Sequence, residues 1–300
     1  MAIPTEPIGS IPRPPQLLQA ITSFHAGKIA SEVLDNAYKE ALRDTIDRLE
    51  QTGSPILTDG EQTKPTQRPI KQAVISASAL SLLYPRNDIP GYSQDAFISD
   101  LIDEAEADIR GALDTGAASV QIDFTEGRLS LKLDPSGSLL SSFVELNNKV
   151  LGRFSPDERR KIGVHVCPGG DRDSTHSADV DYADFLPDLF KLNVGRFYLQ
   201  MASEPDKKRI LQLVSQLTSP QHLVFIGVID PINPVVETAV QVRDRILEAA
   251  SFLPVKQLGT TDDCGFAPFA DDTSTARDTA FQKIQARVEG TALAARELSC

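Results

Sequence analysis

The sequence contains no tryptophan, only three cysteines, and no long apolar run. Any aromatic binding platform must therefore come from phenylalanine or tyrosine. Three scattered cysteines are too few for a disulfide framework, which favours a reducing, cytoplasmic location. No window approaches roughly 18 consecutive apolar residues, so no membrane span is predicted. Residues 1–15 lack a basic stretch followed by an apolar one, which argues against a secretory signal.

Basic residues are also scarce. The chain has 30 Lys and Arg against 42 Asp and Glu, which gives a formal net charge of −12. A nucleic-acid surface needs clustered Lys and Arg, so this balance argues against a nucleic-acid partner. Solubility alone explains the acidity. The partner we expect is a small molecule, and the sequence predicts no oligomeric state.

Short apolar runs alternate with helical periodicity along the whole chain. The runs that we interpret as strands are Thr5–Ser10, Pro55–Asp59, Ala73–Ala77, Ser119–Phe124, Lys161–Val166, Gly195–Gln200, His222–Asp230 and Gln257–Thr261. The helical patterns are Ala30–Gln51, Ser99–Thr115, Leu139–Leu151, Asp181–Leu192, Asp206–Leu217, Pro234–Phe252 and Thr275–Ser299. Such alternation predicts βαβ units and a parallel sheet.

We predict a single α/β domain over residues 1–300 with the fold of a (β/α)₈ TIM barrel. The length is ordinary for one such barrel. Pro234 is predicted to occupy the first turn of its helix, where proline is favoured. The rival fold is a doubly wound open sheet. That fold usually places a glycine-rich GxGxxG turn after its first strand, and the sequence has none.

Polar, reactive residues follow several predicted strands. In a barrel the carboxyl ends of all strands meet on one face, and that face holds the active site. The carboxylates at these ends are Asp59, Glu61, Asp123 and Asp230. They could hold a substrate ammonium or act as acid and base. Equally, they could cap the following helices or pair with arginine.

His165 and Cys167 lie two residues apart on one predicted strand, so their side chains point the same way. Cys264 follows another strand. An imidazole and two thiolates are ligands that suit Zn²⁺. The alternative is a packing role, because free cysteine is among the most buried residue types. A smaller signal is Gly9-Ser10, whose backbone N–H groups either bind a carboxylate or form a plain turn.

Certain segments resemble the C-terminal catalytic barrel of cobalamin-independent methionine synthase, and more closely its short single-barrel relatives. These segments stand in the family's order: Ile8–Pro14, Thr58–Gln62, Val120–Asp123, Val164–Cys167 and Asp263–Phe266. The superfamily also includes uroporphyrinogen decarboxylase. The resemblance implies a TIM barrel that binds zinc and transfers a methyl group to a small thiol such as homocysteine.

The resemblance also implies roles for individual residues. Zinc ligands fall on His165, Cys167 and Cys264. The family's fourth ligand is a glutamate, whose place is best matched by Gln200.

The homocysteine contacts of the family fall on two further groups of residues. Ile8, Gly9 and Ser10 would bind the carboxylate, while Glu61 and Asp123 would bind the amine.

The sequence departs from the family pattern in other places. Phe124-Thr125 replaces the usual Glu-Pro, and Ile232 stands where methionine synthases place a proton-handling histidine. With glutamine in place of glutamate, a zinc site that would be net negative becomes neutral. We expect weaker metal binding and a less nucleophilic thiolate, unless neighbouring groups compensate.

Three functions follow from these patterns. The first is zinc-dependent S-methyl transfer. The second is a repurposed barrel in which Asp123, Glu61 and Asp230, with Asp59, supply Brønsted acid and base. Such a site would suit an isomerase, a cyclase or an epoxide-opening enzyme. The third is a non-catalytic descendant, which the number of polar strand ends disfavours.

Overall fold

The computed structural model describes residues 3–59, 69–85, 89–167, 176–267 and 274–299. Its strands are β1 (Lys71–Ile75), β2 (Ser119–Asp123), β3 (Ile162–Val166), β4 (Arg196–Leu199), β5 (Leu223–Ile229) and β6 (Leu258–Asp262). Its α-helices are α1 (Pro15–His25), α2 (Ser31–Gln51), α3 (Ala77–Ser81), α4 (Gln94–Asp114), α5 (Thr125–Leu133), α6 (Ser138–Leu151), α7 (Pro156–Arg159), α8 (Tyr182–Leu189), α9 (Lys207–Leu217), α10 (Ala239–Ala250) and α11 (Arg277–Glu297). A short 3₁₀ helix, Val255–Gln257, precedes β6.

The six strands form one sheet in sequence order, and every neighbouring pair is parallel. The predicted α/β class with a parallel sheet is therefore confirmed. Among the described residues, the two predicted strands nearest the N-terminus contribute one bridge each. Thr5 pairs with Thr260, and Leu57 pairs with Ile70, both in parallel.

The sheet separates two apolar regions. Residues such as Val120 and Ile122 pack into the large core against the surrounding helices. The opposite face holds a small cluster of Ile8, Tyr198 and Phe225. Because side chains alternate along a strand, residues one position away from the core residues face this inner side. The polar side chains of the site lie on that side and at the strand ends above it.

Several predicted boundaries are wrong, among them the start of α4, which lies at Gln94 and not at Ser99, and two of the errors have a clear local cause. The helix predicted from Pro234 begins at Ala239, since Thr238 and Gln241 form a reciprocal capping box that sets its start. Pro234 lies in a turn instead, where the Asn233 side chain accepts the backbone N–H of Val235 at 3.0 Å. The strand predicted at Ala73–Ala77 is β1, which ends at Ile75. It ends there because the Ser76 hydroxyl accepts the Ala79 N–H and starts α3.

Helices α1, α3, α5 and α7 were not predicted. All four are short. Helix α7 has four residues, and the other three have between five and eleven. Short helices present too few turns for a clear 3.6-residue period. In the described part of the chain, no helix combines the length and apolar character that crossing a bilayer requires.

Candidate metal and substrate site

The ends of β3 and β6 bring His165, Cys167 and Cys264 together. Their possible ligand atoms all lie within 4.8 Å of one another. The two sulfurs, which stand 97 positions apart in the sequence, are 2.9 Å apart. All three side chains are buried. The sequence prediction that these three residues share one site therefore agrees with their placement.

The donor chemistry of this cluster fits a zinc ion. Both ring nitrogens of His165 are buried without a well-aligned hydrogen bond among the described residues, and the Cys167 sulfur is a neighbour that interacts with the ring. A buried polar atom without a partner is costly unless something else binds it. The pKa of the Cys264 thiol is raised well above its usual value by the adjacent Cys167 sulfur and by burial. Two thiolates this close repel each other, and a dication between them would remove that repulsion.

Asp263 places Cys264. Its carboxylate accepts the backbone N–H groups of Met201 and Ala202 at 2.8 Å each, and the N–H and hydroxyl of Ser203 at 2.7 and 2.6 Å. Burial raises the pKa of Asp263 to about 6, against these hydrogen bonds, which act to lower it. The carboxylate thus ties the segment after β6 to the segment after β4.

Two glycines allow this arrangement. A Cβ at Gly227 would lie 1.8 Å from Oδ1 of Asp263, and one at Gly265 would lie 2.0 Å from the Ser10 hydroxyl. Neither contact is sterically possible. Glycine therefore follows Cys264 because the N-terminal segment approaches the backbone closely at position 265.

Gln200 follows β4 and is buried. Its amide oxygen accepts from Nη1 of Arg128 at 3.2 Å, and its amide nitrogen donates to the Ser203 hydroxyl at 2.8 Å. Because arginine can only donate, the oxygen has to face Arg128. The residue predicted to replace the family glutamate is thus held by a cation at one end and a hydroxyl at the other.

Arg128 was not recognised as a site residue from the sequence. It lies in α5 and is buried, and its guanidinium donates to the carbonyl oxygens of Ala178 and Val180. The guanidinium also stacks over the ring of Tyr182, 5.0 Å from its centroid. Burial lowers the Arg128 pKa, while Tyr182 acts in the opposite direction. No local sequence signal indicates a buried arginine whose partners lie 50 residues away.

Asp123 ends β2 and is partly buried. Its Oδ1 accepts from Nε2 of Gln121 at 2.7 Å. The pKa of Asp123 is raised by burial, although His165 and the Gln121 hydrogen bond oppose the shift. In the register of the sheet it stands directly opposite His165. Asp123 therefore lies beside the candidate metal cluster, as the resemblance implies.

The other predicted carboxylates have different positions. Asp230 accepts the backbone N–H groups of Ile232 and Asn233 at 3.0 and 3.3 Å, so it stabilises the turn after β5. This is not the helix-capping role that the sequence left open, because Thr238 caps the following helix. Asp59 is buried. Glu61 lies outside the described residues.

Ile8, Gly9 and Ser10 are buried close to the segment that carries Cys264. The Ser10 carbonyl accepts the Phe266 N–H at 3.0 Å, and the Ser10 hydroxyl accepts the Ala267 N–H at 3.3 Å. These contacts place the predicted carboxylate-binding segment against the predicted metal-binding segment. Its contact with a substrate stays a prediction.

No family model matches the chain. A methionine synthase from Sulfurisphaera tokodaii is 23% identical to it over 99% of this chain and 94% of that protein. The solved structure of a Listeria monocytogenes protein assigned to the vitamin B12-independent methionine synthases has a TM-score of 0.75 at 21% identity, covering 97% of this chain and 98% of that one. The B12-independent methionine synthase of Shewanella, solved with selenomethionine, has a TM-score of 0.72 at 17% identity, covering 100% and 99%.

The resemblance to B12-independent methionine synthases is confirmed. It extends over almost the full length of the chain in both sequence and fold. The similarity also bears out the prediction of an enzyme of the methyltransferase type. Among its described residues, the chain brings together the His-x-Cys pair and Cys264, which belong to two of the five segments that carry the resemblance.

Proposed function

We propose that this chain is a methionine synthase-like enzyme that transfers a methyl group to the sulfur of a small thiol such as homocysteine, with zinc as its cofactor. The observation that carries the proposal is the buried convergence of His165, Cys167 and Cys264 within 4.8 Å. The methionine synthase names of the relatives, and the selenomethionine bound by the Shewanella protein, support a sulfur- or selenium-containing amino acid as the ligand class.

In the proposed reaction, one group of residues would bind the metal. His165, Cys167 and Cys264 would hold the metal, and Gln200, the best match to the family's glutamate, would be the fourth ligand. Zinc at such a site lowers the pKa of a thiol and so supplies a nucleophile at neutral pH. In the reaction a sulfur–carbon bond forms as the donor–methyl bond breaks. The donor keeps the electron pair of that bond, and the thiol proton leaves to solvent.

The substrate amino acid would be held by two groups. Asp123, together with Glu61, would accept hydrogen bonds from the ammonium. The backbone N–H groups of Ile8 to Ser10 would face the carboxylate. Asp230 holds the turn after β5, and in this reaction it would shape the mouth of the site.

We also propose that the sheet closes into the eight-stranded TIM barrel. Thr5 pairs with β6 through Thr260, and Leu57 pairs with Ile70 next to β1. The two additional segments thus extend both edges of the six-stranded sheet. The Thr58 hydroxyl donates to the Gly9 carbonyl at 3.0 Å, which joins these segments to each other. In a closed barrel all the strand ends named above surround one cavity mouth.

The purified protein is expected to contain about one zinc ion per chain, because an imidazole and two thiolates converge in a buried pocket. Elemental analysis after zinc-supplemented expression and gel filtration would measure it. A His165→Ala, Cys264→Ser double variant serves as the matched control and should contain none. Wild-type protein that purifies without zinc under these conditions would remove the metal from the proposal.

Gln200→Glu is expected to tighten zinc binding, since it restores a negative oxygen ligand. Arg128 complicates the outcome, because the new carboxylate can also pair with its guanidinium at the present 3.2 Å contact. The gain should therefore be larger in the Gln200→Glu, Arg128→Met background. Competition with a chromogenic chelator would measure the zinc affinity. Unchanged affinity in both backgrounds would show that Gln200 does not face the metal.

Acid–base catalysis without methyl transfer is the second candidate. Two observations favour it. Burial raises the pKa of Asp123, which suits a carboxyl group that donates a proton. The Gln200 oxygen is already engaged by Arg128. An isomerisation, a cyclisation or the opening of an epoxide would use such a carboxyl group.

A further inference from the structure

Lys71 is a buried lysine that none of the roles above uses. It begins β1, its side chain is 1% exposed, and it points to the inner side of the sheet. The ammonium donates to Oε1 of Gln121 at 2.6 Å and lies 4.3 Å from the ring centroid of Tyr198. A fully buried ammonium has a large desolvation cost, so the fold retains it against an energetic penalty.

The hydrogen bonds from Lys71 run in one direction only. A lysine ammonium can donate but not accept, so the Gln121 side chain must present its oxygen to Lys71. Its Nε2 then points the other way and donates to Oδ1 of Asp123 at 2.7 Å. If the amide were reversed, its oxygen would face the carboxylate and its nitrogen would face the ammonium. Lys71 therefore fixes the donor that holds Asp123.

The other buried carboxylates near Lys71 have cations of their own. Arg196 donates to Oε1 of Glu6 at 2.7 Å, and Arg287 pairs with Asp262 in a fully buried contact. Glu6 still makes the largest carboxylate attraction to Lys71, and Asp123 makes the next largest.

Asp123, at the end of β2, also interacts electrostatically with Lys71. Burial lowers the pKa of Lys71 to about 8, while Glu6 and Asp123 act to raise it. The positive charge of Lys71 acts to lower the pKa of Asp123 and so favours the ionised, accepting form of that carboxyl group.

We propose that Lys71 is a positioning residue, which acts through Gln121 to hold Asp123 as an oriented acceptor for the ammonium group of an amino-acid substrate. The proposal rests on the proposed function for its substrate class. It adds that Lys71 and Gln121 form a buried relay of two side chains, and that this relay determines which thiols the site accepts.

The test compares two thiols that differ in one group. Homocysteine has an α-ammonium, and 4-mercaptobutyrate has the same thiol and carboxylate without it. Calorimetric binding at pH 7 to the zinc-loaded protein gives the preference for homocysteine. We expect Lys71→Met to lower this preference about 10- to 100-fold, the usual range for losing a group that orients a ligand-binding residue. Asp123→Asn should lower it similarly, and zinc content should stay at the wild-type level in both.

Lys283→Met is the matched control. Lys283 is equally buried, but it serves Asp230, Val235 and Glu237 on the helix side of the sheet. This variant should lose stability and keep the wild-type preference. If Lys71→Met does not fold, Gln121→Met interrupts the same relay and should give the same loss. A preference that survives interruption of the relay would overturn the proposal.

Crystal structures separate this inference from the proposed function. In Lys71→Met, the Gln121 amide should turn and Asp123 should change its side-chain orientation relative to wild type. An unchanged Asp123 would refute the positioning role whatever the protein binds. Wild-type protein that binds neither thiol would refute homocysteine as the substrate, and with it the claim that Asp123 accepts a substrate ammonium. The orientation of Asp123 in the variant would still decide whether Lys71 positions it.

Discussion

Gly227→Ala is expected to destabilise the protein severely and to weaken the candidate metal site. The added Cβ would lie 1.8 Å from Oδ1 and 3.1 Å from Cα of Asp263. The carboxylate cannot simply swing away, because it accepts hydrogen bonds from Met201, Ala202 and Ser203. Overpacking and the loss of these bonds together should lower Tm by roughly 5–10 °C.

The same substitution should reduce zinc affinity, since Asp263 immediately precedes Cys264. Thermal unfolding followed by circular dichroism, and chelator competition, would measure the two effects. Gly111→Ala is the matched control. Gly111 is exposed in α4, and a Cβ there would meet no heavy atom within 4 Å. This control should be neutral or more stable by up to about 1 kcal/mol. Equal behaviour of the two variants would contradict the packing described for Gly227.

Much of the site follows from the sequence by geometry alone. Two residues of separation on a strand place His165 and Cys167 on one side, whatever the rest of the fold does. Cys264 joins them only if the strands run parallel and their carboxyl ends meet, which the alternation of strands and helices predicts. Asp123 follows from the same rule. The long, continuous apolar run of β5 made this strand the clearest to recognise.

The parts that could not be predicted depend on contacts between distant residues. Lys71 and Gln121 face the inner side of the sheet, but only the register of β1 against β2 brings them together. Arg128 is bound by backbone carbonyl oxygens, and carbonyl oxygens are present at every position of every sequence. The turn at Pro234 depends on backbone N–H groups that donate to the side-chain oxygens of Asp230 and Asn233, and these bonds compete with the first turn of a helix.

Asp230 shows why a residue type at the right place does not define a role. A carboxylate after β5 was compatible with both catalysis and capping, because aspartate performs both at strand ends. Its two backbone hydrogen bonds place it in a turn. By contrast, Asp123 accepts from a side chain on its own strand and faces His165. This difference makes Asp123 the carboxylate whose substitution separates the two candidate functions.

The two functions predict opposite orders of sensitivity. If methyl transfer depends on the metal cluster, Cys167→Ser should remove essentially all turnover, because it removes one of three converging ligands. Asp123→Asn should then act mainly by weakening the binding of the amino acid. If Asp123 is instead a general acid, Asp123→Asn should cost about 10²–10⁴-fold in rate. Cys167→Ser would then leave the rate nearly unchanged.

The most direct measurement is methyl transfer to homocysteine by the wild-type protein, assayed against a panel of methyl donors with and without a zinc chelator. The account predicts formation of methionine that stops when the chelator is added and returns when zinc is restored. A chelator that is inactive toward the donor and the thiol alone provides the control. Methionine formation that continues at the same rate in zinc-free protein would contradict the account.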